Sequence, residues 1–184
     1  MAIEVLHISA YDSRGGASKA AARLHFSLLN IGIKSKMFVQ QKSSNAPTIL
    51  TENNLFLRKI NRILSFVDTL PARILKKNIN NYSPSMIGSI GLVKKINKLN
   101  PDIVHLHWVC NAMLSIEDIA KIDPPIVWTL HDNWAFSGGC HNMQTCLNHN
   151  HDTHNCEISF NSIFKRKKKA YLKKQDLAIV SPSK

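Results

Sequence analysis

The segment from Ile3 to Lys42 carries the pattern that most constrains the fold. It opens with a short, mostly apolar run, IEVLHISAY, which is typical of a strand buried on both faces. A glycine turn follows, then apolar residues at helical spacing up to Gly32, and then a second strand-like run from Lys34. A strand, a turn, a helix and a strand in this order predict a βαβ unit with a right-handed crossover.

The remainder of the chain continues this alternation of strands and helices. Residues 43–54 are polar and are predicted to form a loop. The predicted helices are Leu55–Lys77, which Pro71 breaks or kinks, Ile87–Leu99, Ser115–Ile122 with Ser115 as N-cap, and a basic helix at Ser159–Gln175; the predicted strands are Asp102–Val109, Pro125–Asp132 and Leu177–Lys184. Together they predict one α/β domain over residues 1–184, with a Rossmann-like, doubly wound and mostly parallel sheet and a Cys/His-rich excursion at 138–157.

Polar clusters follow three of the predicted strands. Their sequences are DSRGGAS, HLHWVCN and LHDNWAFSGGC. In sheets of this type, ligands bind outside the carboxyl ends of the strands, which all lie at one edge. The three clusters therefore predict a single cleft at that edge.

The first cluster contains Arg14 to Ser18, a turn that leads into the first predicted helix. Two glycines let the backbone approach an anion closely, and the helix N-terminus offers unpaired N–H groups. The spacing matches neither the dinucleotide fingerprint nor a phosphate-binding GK[ST] loop. The turn therefore predicts either an anion site or a tight turn without a ligand.

The second and third clusters carry histidines. His105 and His107 point to the same face of a strand and could hold a metal, although their spacing shows no third ligand. Alternatively, His105 is a buried, hydrogen-bonded residue, and His107, nearer the strand end, touches a ligand. His131 could serve acid–base chemistry, bind sugar hydroxyls, or cap its strand. Adjacent strand residues face opposite ways, so Asp132 is not expected to orient His131 unless the strand has already turned.

The excursion contains three of the four cysteines: Cys140, Cys146 and Cys156. Four histidines lie among them, and a Cys₃His set suits structural zinc. Ordinary thiols are the alternative, and a nucleophilic cysteine, as in a hydrolase, is a third. Cys110 is predicted to be a small core residue.

The net charge of +12 favours an anionic partner. A run of seven basic residues lies between Phe164 and Lys174, and it predicts a solvated helix face or attraction to an anionic membrane. The amphipathic segment Leu55–Lys77 favours membrane contact, with ordinary packing on the sheet as the alternative. The sequence matches no nucleic-acid-binding module, so nucleic acid is not an expected partner. No apolar run is long enough to span a membrane, which predicts a cytoplasmic protein, peripheral at most on the inner face of the cell membrane.

A resemblance to a known family lies in five segments: VLHISAYDSRGGASKAAARLHFSLLNIGIKSKMFV, SPSMIG, NPDIVHLHWV, IVWTLHDNWAFSGGCH and LAIVSPSK. They resemble the N-terminal half of bacterial family 4 glycosyltransferases that build capsular, colanic-acid-like and lipopolysaccharide sugars. The resemblance implies a GT-B enzyme that retains anomeric configuration and requires no metal or other cofactor. Its N-terminal domain receives a glycan or lipid-linked acceptor, and its C-terminal domain binds the nucleotide sugar.

The resemblance also implies roles for individual residues. Gly15 and Gly16, with Ala17, would line the cleft near the donor diphosphate. His131 would be the catalytic residue beside the transferred sugar, whereas His107 and Asp132 would line the acceptor side.

Family members are about twice as long as this chain. The expectation is therefore a truncated chain that lacks the donor-binding domain and is inactive alone. The competing hypothesis is a zinc-stabilised module that binds an anionic surface, either membrane or nucleic acid.

Overall fold

A computed structural model describes residues 3–75, 82–142 and 161–181. Its centre is a six-stranded sheet in which every neighbouring pair of strands is parallel. The strands are β1 (Glu4–Tyr11), β2 (Lys34–Gln41), β3 (Ile49–Leu50), β4 (Ile103–Leu106), β5 (Ile126–Thr129) and β6 (Leu177–Val180). Their order is β3-β2-β1-β4-β5-β6, which is the order of a Rossmann-like, doubly wound sheet and confirms the predicted fold class.

Five helices connect the strands within the described residues. They are α1 (Gly15–Asn30), α2 (Leu55–Leu75), α3 (Leu92–Leu99), α4 (Ile116–Ile119) and α5 (Asn161–Lys173). Ser115 caps α4 as predicted, because its hydroxyl accepts from the backbone N–H of Asp118 while the Asp118 carboxylate accepts from Ser115 N–H. In this part of the chain, no helix has the length and apolar character to cross a membrane.

The two faces of the sheet bury different kinds of side chain. The face covered by α3, α4 and α5 carries the larger apolar cluster, which includes Ile8, Leu106 and Trp128. Side chains alternate along a strand, so the residues between these positions point to the other face. That face, covered in part by α1, has a small apolar cluster and a polar layer of histidine, serine and threonine. It is called the α1 face below.

Several element bounds differ from the predicted ones. The segment predicted as a loop, 43–54, contains the short strand β3. Pro71 does not break α2, which continues to Leu75. The helix predicted from Ile87 begins only at Leu92, directly after Gly91, whose φ of +79° lies outside the helical region. The backbone N–H groups of Met86, Ile87 and Ile90 are bound by side chains of α2.

The inward face of α2 is partly polar. Among its described side chains, the buried ones are those of Asn61 and Asp68, which accept the N–H groups just described. Val67 is exposed, and so are Phe56, Ile63 and Phe66. The helix is therefore held through hydrogen bonds, and much of its apolar surface faces outward.

Candidate functional site

Polar and aromatic side chains form a continuous row along the carboxyl edge of the sheet. Gln40 Nε2 donates to the carbonyl of Asn111 over 3.2 Å, and Asn111 Nδ2 donates to the Tyr11 hydroxyl over 3.0 Å. The Tyr11 ring stacks on Trp108, which in turn contacts the ring of His141. Residues that follow β1, β4 and β5 thus meet at one edge, as the strand-end clusters predicted.

The glycine turn leads directly into α1. Gly15 has φ +80°, a conformation that favours glycine, and it is the first residue of the helix. Gly16 has no such requirement, and a Cβ at either position would meet nothing within 4 Å. Arg14 is the N-cap and makes no side-chain capping bond, and its guanidinium lies 5.4 Å from the centre of the Tyr11 ring. The N-terminus of α1, including half-exposed Ala17, therefore faces open space.

Asp12, between β1 and this turn, is buried and has a structural role. Its carboxylate accepts from the backbone N–H groups of Ser43 and Ser44 at 2.7–3.0 Å, which ties the segment after β2 to the end of β1. Burial alone would raise the pKa of Asp12, but these hydrogen bonds outweigh it and hold the pKa below its usual value.

Three histidines on the α1 face form a row that runs from the interior of the sheet to its edge. His7 Nδ1 lies 3.2 Å from His107 Nε2, and His107 Nδ1 lies 3.1 Å from His131 Nε2. His7 and His107 are buried, whereas His131, after the end of β5, is half-buried. Both nitrogens of His107 therefore face other imidazoles, and His131 is the member of the row that reaches the edge.

Two further buried histidines flank this row. His105 is the register partner of His7 and lies 2.8 Å from the Thr129 hydroxyl through Nε2. His25, on α1, packs edge-on against His7 and lies within hydrogen-bond distance of the hydroxyls of Ser35 and Thr48. His105 is thus buried and hydrogen-bonded, one of the two alternatives that its position left open.

Burial lowers the pKa of all these imidazoles. The pKa of His7 falls to about 3, that of His105 to about 4 and that of His107 to about 2, because desolvation disfavours the charged ring and neighbouring histidines repel a second charge. Desolvation also lowers the pKa of His131, although the charge of Asp132 opposes the shift. At neutral pH the layer is therefore uncharged, and each ring can both donate and accept one hydrogen bond.

The Asp132 carboxylate accepts a hydrogen bond from His141 and not from His131. The strand has ended at Thr129, and Asp132 Oδ2 lies 2.6 Å from His141 Nδ1, which donates to it, while Oδ1 accepts from Trp134 N–H. His141 Nε2 lies 2.7 Å from the Ser83 hydroxyl. Burial alone would raise the pKa of Asp132, but the hydrogen bond from His141 outweighs it and leaves this pKa low.

The basic helix α5 packs against the site loop, residues 131–142, and holds it in place. Lys167 is buried, its ammonium group donates to the carbonyls of Trp134 and Ser137, and it lies 3.7 Å from the centre of the Trp134 ring. Desolvation lowers the pKa of Lys167 to about 7. Arg166 makes two hydrogen bonds to Glu117. Part of the basic run therefore faces inward and positions the loop.

A pocket of about 220 Å³ adjoins the edge beside the end of β2. Gln40 lines it from β2 and Lys42 from just after that strand, and Arg58 and Arg62 line it from the first turns of α2. Glu52 is the acidic residue in its wall, and Lys95 pairs with Glu52 over 2.7 Å. Most of the lining is uncharged, but its three cations, Lys42, Arg58 and Arg62, outnumber the single carboxylate and suit an anionic ligand.

The structure describes only part of the predicted zinc site. Cys140 is buried, and its backbone forms an isolated antiparallel β-bridge with Tyr82. Burial raises the pKa of the Cys140 thiol. Cys146 and Cys156 lie outside the described residues, so the three-cysteine site stays a prediction. His141, one of the imidazoles considered for it, has both nitrogens engaged by Asp132 and Ser83. Cys110 is a buried core residue, as predicted.

Four contributors to this site were not predicted from the sequence. His7 was predicted only as part of a strand, and its contact with His107 spans 100 positions in the sequence. Ser83 and the cations Arg58 and Arg62 come from segments that reach the edge only through tertiary packing. The signal that could have found His7 is its position, which the strand register places beside His105.

Comparison of the chain with family models, with curated proteins and with solved structures finds no match.

Proposed function

We propose that this chain is the acceptor-binding half of a retaining glycosyltransferase. In this proposal, a sugar passes from a nucleotide sugar to a cell-surface glycan or lipid-linked acceptor. A second domain, facing the carboxyl edge of the sheet, binds the nucleotide sugar. The proposal rests on the resemblance to bacterial family 4 glycosyltransferases together with the fold and the geometry of this edge.

The main support for the proposal is that three clusters of residues lie at the same edge of the sheet. The glycine turn at Gly15 and Gly16, the Tyr11–Trp108 stack and the site loop all lie at the carboxyl ends of parallel strands. Ligands bind at this position in doubly wound sheets. Aromatic faces and neutral hydrogen-bonding groups are suited to sugars, and an uncapped helix N-terminus is suited to a diphosphate.

His131 is the proposed catalytic residue. Its Nε2 faces His107, so Nδ1 remains for a sugar hydroxyl or for the oxocarbenium-like centre of the transition state. Its lowered pKa keeps it neutral, which suits a hydrogen-bonding role better than a role as a fixed cation. Asp132, bound to His141 and Trp134, supports the shape of the loop on the acceptor side.

The pocket beside β2 is the proposed acceptor pocket. Lys42, Arg58 and Arg62 would bind the charged part of an acceptor, such as the diphosphate of a lipid-linked sugar. Gln40 connects this pocket to the Tyr11–Trp108 stack through Asn111. An acceptor held there would extend along the same edge toward His131.

An anionic membrane surface is the proposed second partner. The outward side of α2 carries exposed Phe56, Ile63, Phe66 and Ile74. Lys59, Arg62 and Arg73 lie on the same helix and are exposed as well. Apolar side chains mixed with cations are typical of helices that lie in the surface of anionic bilayers. A lipid-linked acceptor would then be presented beside its pocket.

The acceptor proposal can be tested by binding, without a donor. Isotope-labelled protein is titrated with soluble, short-chain lipid diphosphate saccharides and with the same saccharides lacking the diphosphate. We expect saturable shifts of the Tyr11, Trp108 and His131 signals, with tighter binding when the diphosphate is present. Arg58→Ala and Arg62→Ala should each weaken binding of the diphosphate compounds about tenfold, which is the usual contribution of a charge-assisted hydrogen bond.

Lys121→Ala is the matched control for these variants. Lys121 is an exposed cation that pairs with Asp118 near the start of β5, at the opposite edge of the sheet. It should leave saccharide binding unchanged. Two results would instead support the zinc-stabilised surface-binding module. One is an equal loss of saccharide binding in all three variants. The other is the absence of saccharide binding together with salt-sensitive binding to vesicles or DNA.

A further inference from the structure

The histidine layer on the α1 face contains a group with the composition of a metal site. His7, His105 and His107 are all buried, and each offers a ring nitrogen within 4.8 Å of those of the other two. His105 and His107 alone gave two candidate ligands without a third. Register supplies the third, because β1 pairs with β4 so that His7 lies opposite His105.

One distance within the group is close to that which an ion requires. Zinc binds imidazole nitrogen at 2.0–2.1 Å, so two imidazoles on a tetrahedral ion have nitrogens about 3.3 Å apart. His7 Nδ1 and His107 Nε2 lie 3.2 Å apart. His105 offers a nitrogen within 4.8 Å of both, so an ion would have to draw this third ring closer.

The surroundings of the group also resemble those of metal-binding histidines. Such residues use one nitrogen for the ion and have the other held by a hydrogen bond, which fixes the ring. His105 Nε2 lies 2.8 Å from the Thr129 hydroxyl, and His107 Nδ1 lies 3.1 Å from His131. His7 differs from them, because its Nε2 is buried without a hydrogen-bond partner among the described residues, while its Nδ1 faces His107.

We propose that His7, His105 and His107 bind one divalent transition-metal ion, zinc or a chemically similar ion, between β1 and β4. Three imidazoles suit zinc, copper and nickel better than magnesium or calcium, which prefer oxygen. Three protein ligands leave one position of a tetrahedral ion for water. This site is separate from the predicted cysteine site, and it does not depend on the sugar-transfer proposal.

The test must separate the two metal sites. The protein is prepared without an affinity tag, as wild type and as a Cys146→Ser/Cys156→Ser variant, stripped with a chelator and titrated with Zn²⁺ against a chromophoric competitor. We expect the cysteine variant to bind one equivalent of Zn²⁺ and to melt at a higher temperature when it is bound. With Co²⁺ it should show d–d absorption without a thiolate charge-transfer band.

Substitutions then identify the ligands. In the cysteine variant, His7→Asn and His105→Gln should each weaken Zn²⁺ binding at least 100-fold. His25→Gln is the matched control: it changes a buried histidine of the same layer whose two nitrogens already face Ser35 and Thr48. That variant should bind Zn²⁺ as tightly as its parent.

X-ray absorption on the zinc-loaded cysteine variant provides a measurement that needs no histidine substitution. A shell containing three imidazole nitrogens and no sulfur is expected. If the folded cysteine variant binds no Zn²⁺, or if the histidine substitutions leave its affinity unchanged, the proposal is wrong.

Discussion

Gly15 and Gly16 are adjacent at the start of α1, but only Gly15 has a backbone conformation that requires glycine. Gly15 has a positive φ, so a side chain there would be strained. Gly16 has neither a positive φ nor a neighbour that a Cβ would touch. The fold alone therefore explains Gly15 but not Gly16, and close approach of a ligand to the backbone would explain both.

This difference leads to a prediction for Gly16→Ala. The substitution should leave stability unchanged or raise it by about 0.5–1 kcal/mol, because alanine is the better helix former. It should nevertheless weaken binding of a diphosphate-containing ligand, since a methyl group would occupy the space above the turn. Urea unfolding and isothermal titration with a nucleotide diphosphate measure the two effects.

Gly15→Ala is the comparison for that experiment. It should cost about 1–2 kcal/mol of stability, because an L-residue resists this conformation. If Gly16→Ala binds the diphosphate ligand as well as wild type does, the turn is not a ligand site.

Helix α2 shows how much of an element can be predicted from its own sequence. Its apolar periodicity predicted a helix over nearly the observed range, Leu55–Leu75. The same periodicity did not reveal which side of α2 faces the sheet. Asn61 and Asp68 accept hydrogen bonds from the backbone of residues 86–90, and the sequence of α2 alone does not show these contacts.

The role of Asp68 can be tested by two substitutions. Asp68→Ala should destabilise the protein by about 1–3 kcal/mol, because it removes the carboxylate that accepts hydrogen bonds from the N–H groups of Met86 and Ile87. Asp68→Asn keeps an oxygen in place and should cost less. Burial raises the pKa of Asp68 because it disfavours the charged carboxylate, and the neutral amide of asparagine avoids that cost. Equal losses of unfolding free energy in the two variants would contradict this account.

The outward side of α2 gives a prediction about membranes. A Phe56→Ser/Ile63→Ser/Phe66→Ser variant should sediment several-fold less with vesicles that contain anionic lipid, because it removes the apolar surface that would enter the bilayer. Its stability should hardly change, since all three side chains are exposed. Leu172→Ser, which changes an exposed leucine on α5, is the control and should sediment as wild type does.

At the scale of the whole molecule, the sheet could be predicted and the polar layer could not. Strand-like runs that alternate with helical ones were enough for the doubly wound fold, although β3, with only two residues, was missed. The contacts of His7 with His107 and of His141 with Ser83 join residues far apart in the sequence. They depend on which strands are neighbours and in which register, which spacing along the chain does not specify.

The histidine layer makes the stability of the metal-free protein depend on pH. In the unfolded chain these histidines titrate near 6.5, whereas in the fold the pKa of His7 is about 3 and that of His105 about 4. The unfolded state therefore binds more protons below pH 6.5. Stability should be fully present above pH 6.5 and fall as the pH drops toward 4, by about 1.4 kcal/mol per pH unit for each histidine that stays neutral in the fold.

Urea unfolding between pH 7.5 and pH 4.5, with a chelator present, measures this slope. His105→Gln keeps a hydrogen-bonding group near Thr129 but cannot be protonated, so it should reduce the slope by about one proton. A free energy of unfolding that is constant over this range would contradict the neutral, buried state of the layer.

The hydrogen bonds along the row His7–His107–His131 must all point the same way. A neutral imidazole carries one proton, so His107 donates at one nitrogen and accepts at the other, and the row has only two tautomeric arrangements. In one arrangement the proton of His131 sits on Nδ1, and in the other Nδ1 carries a lone pair. Whether His131 donates to a ligand or accepts from it is thus fixed together with His7, deep in the sheet. An ion bound to His107 Nε2 would select the donating form.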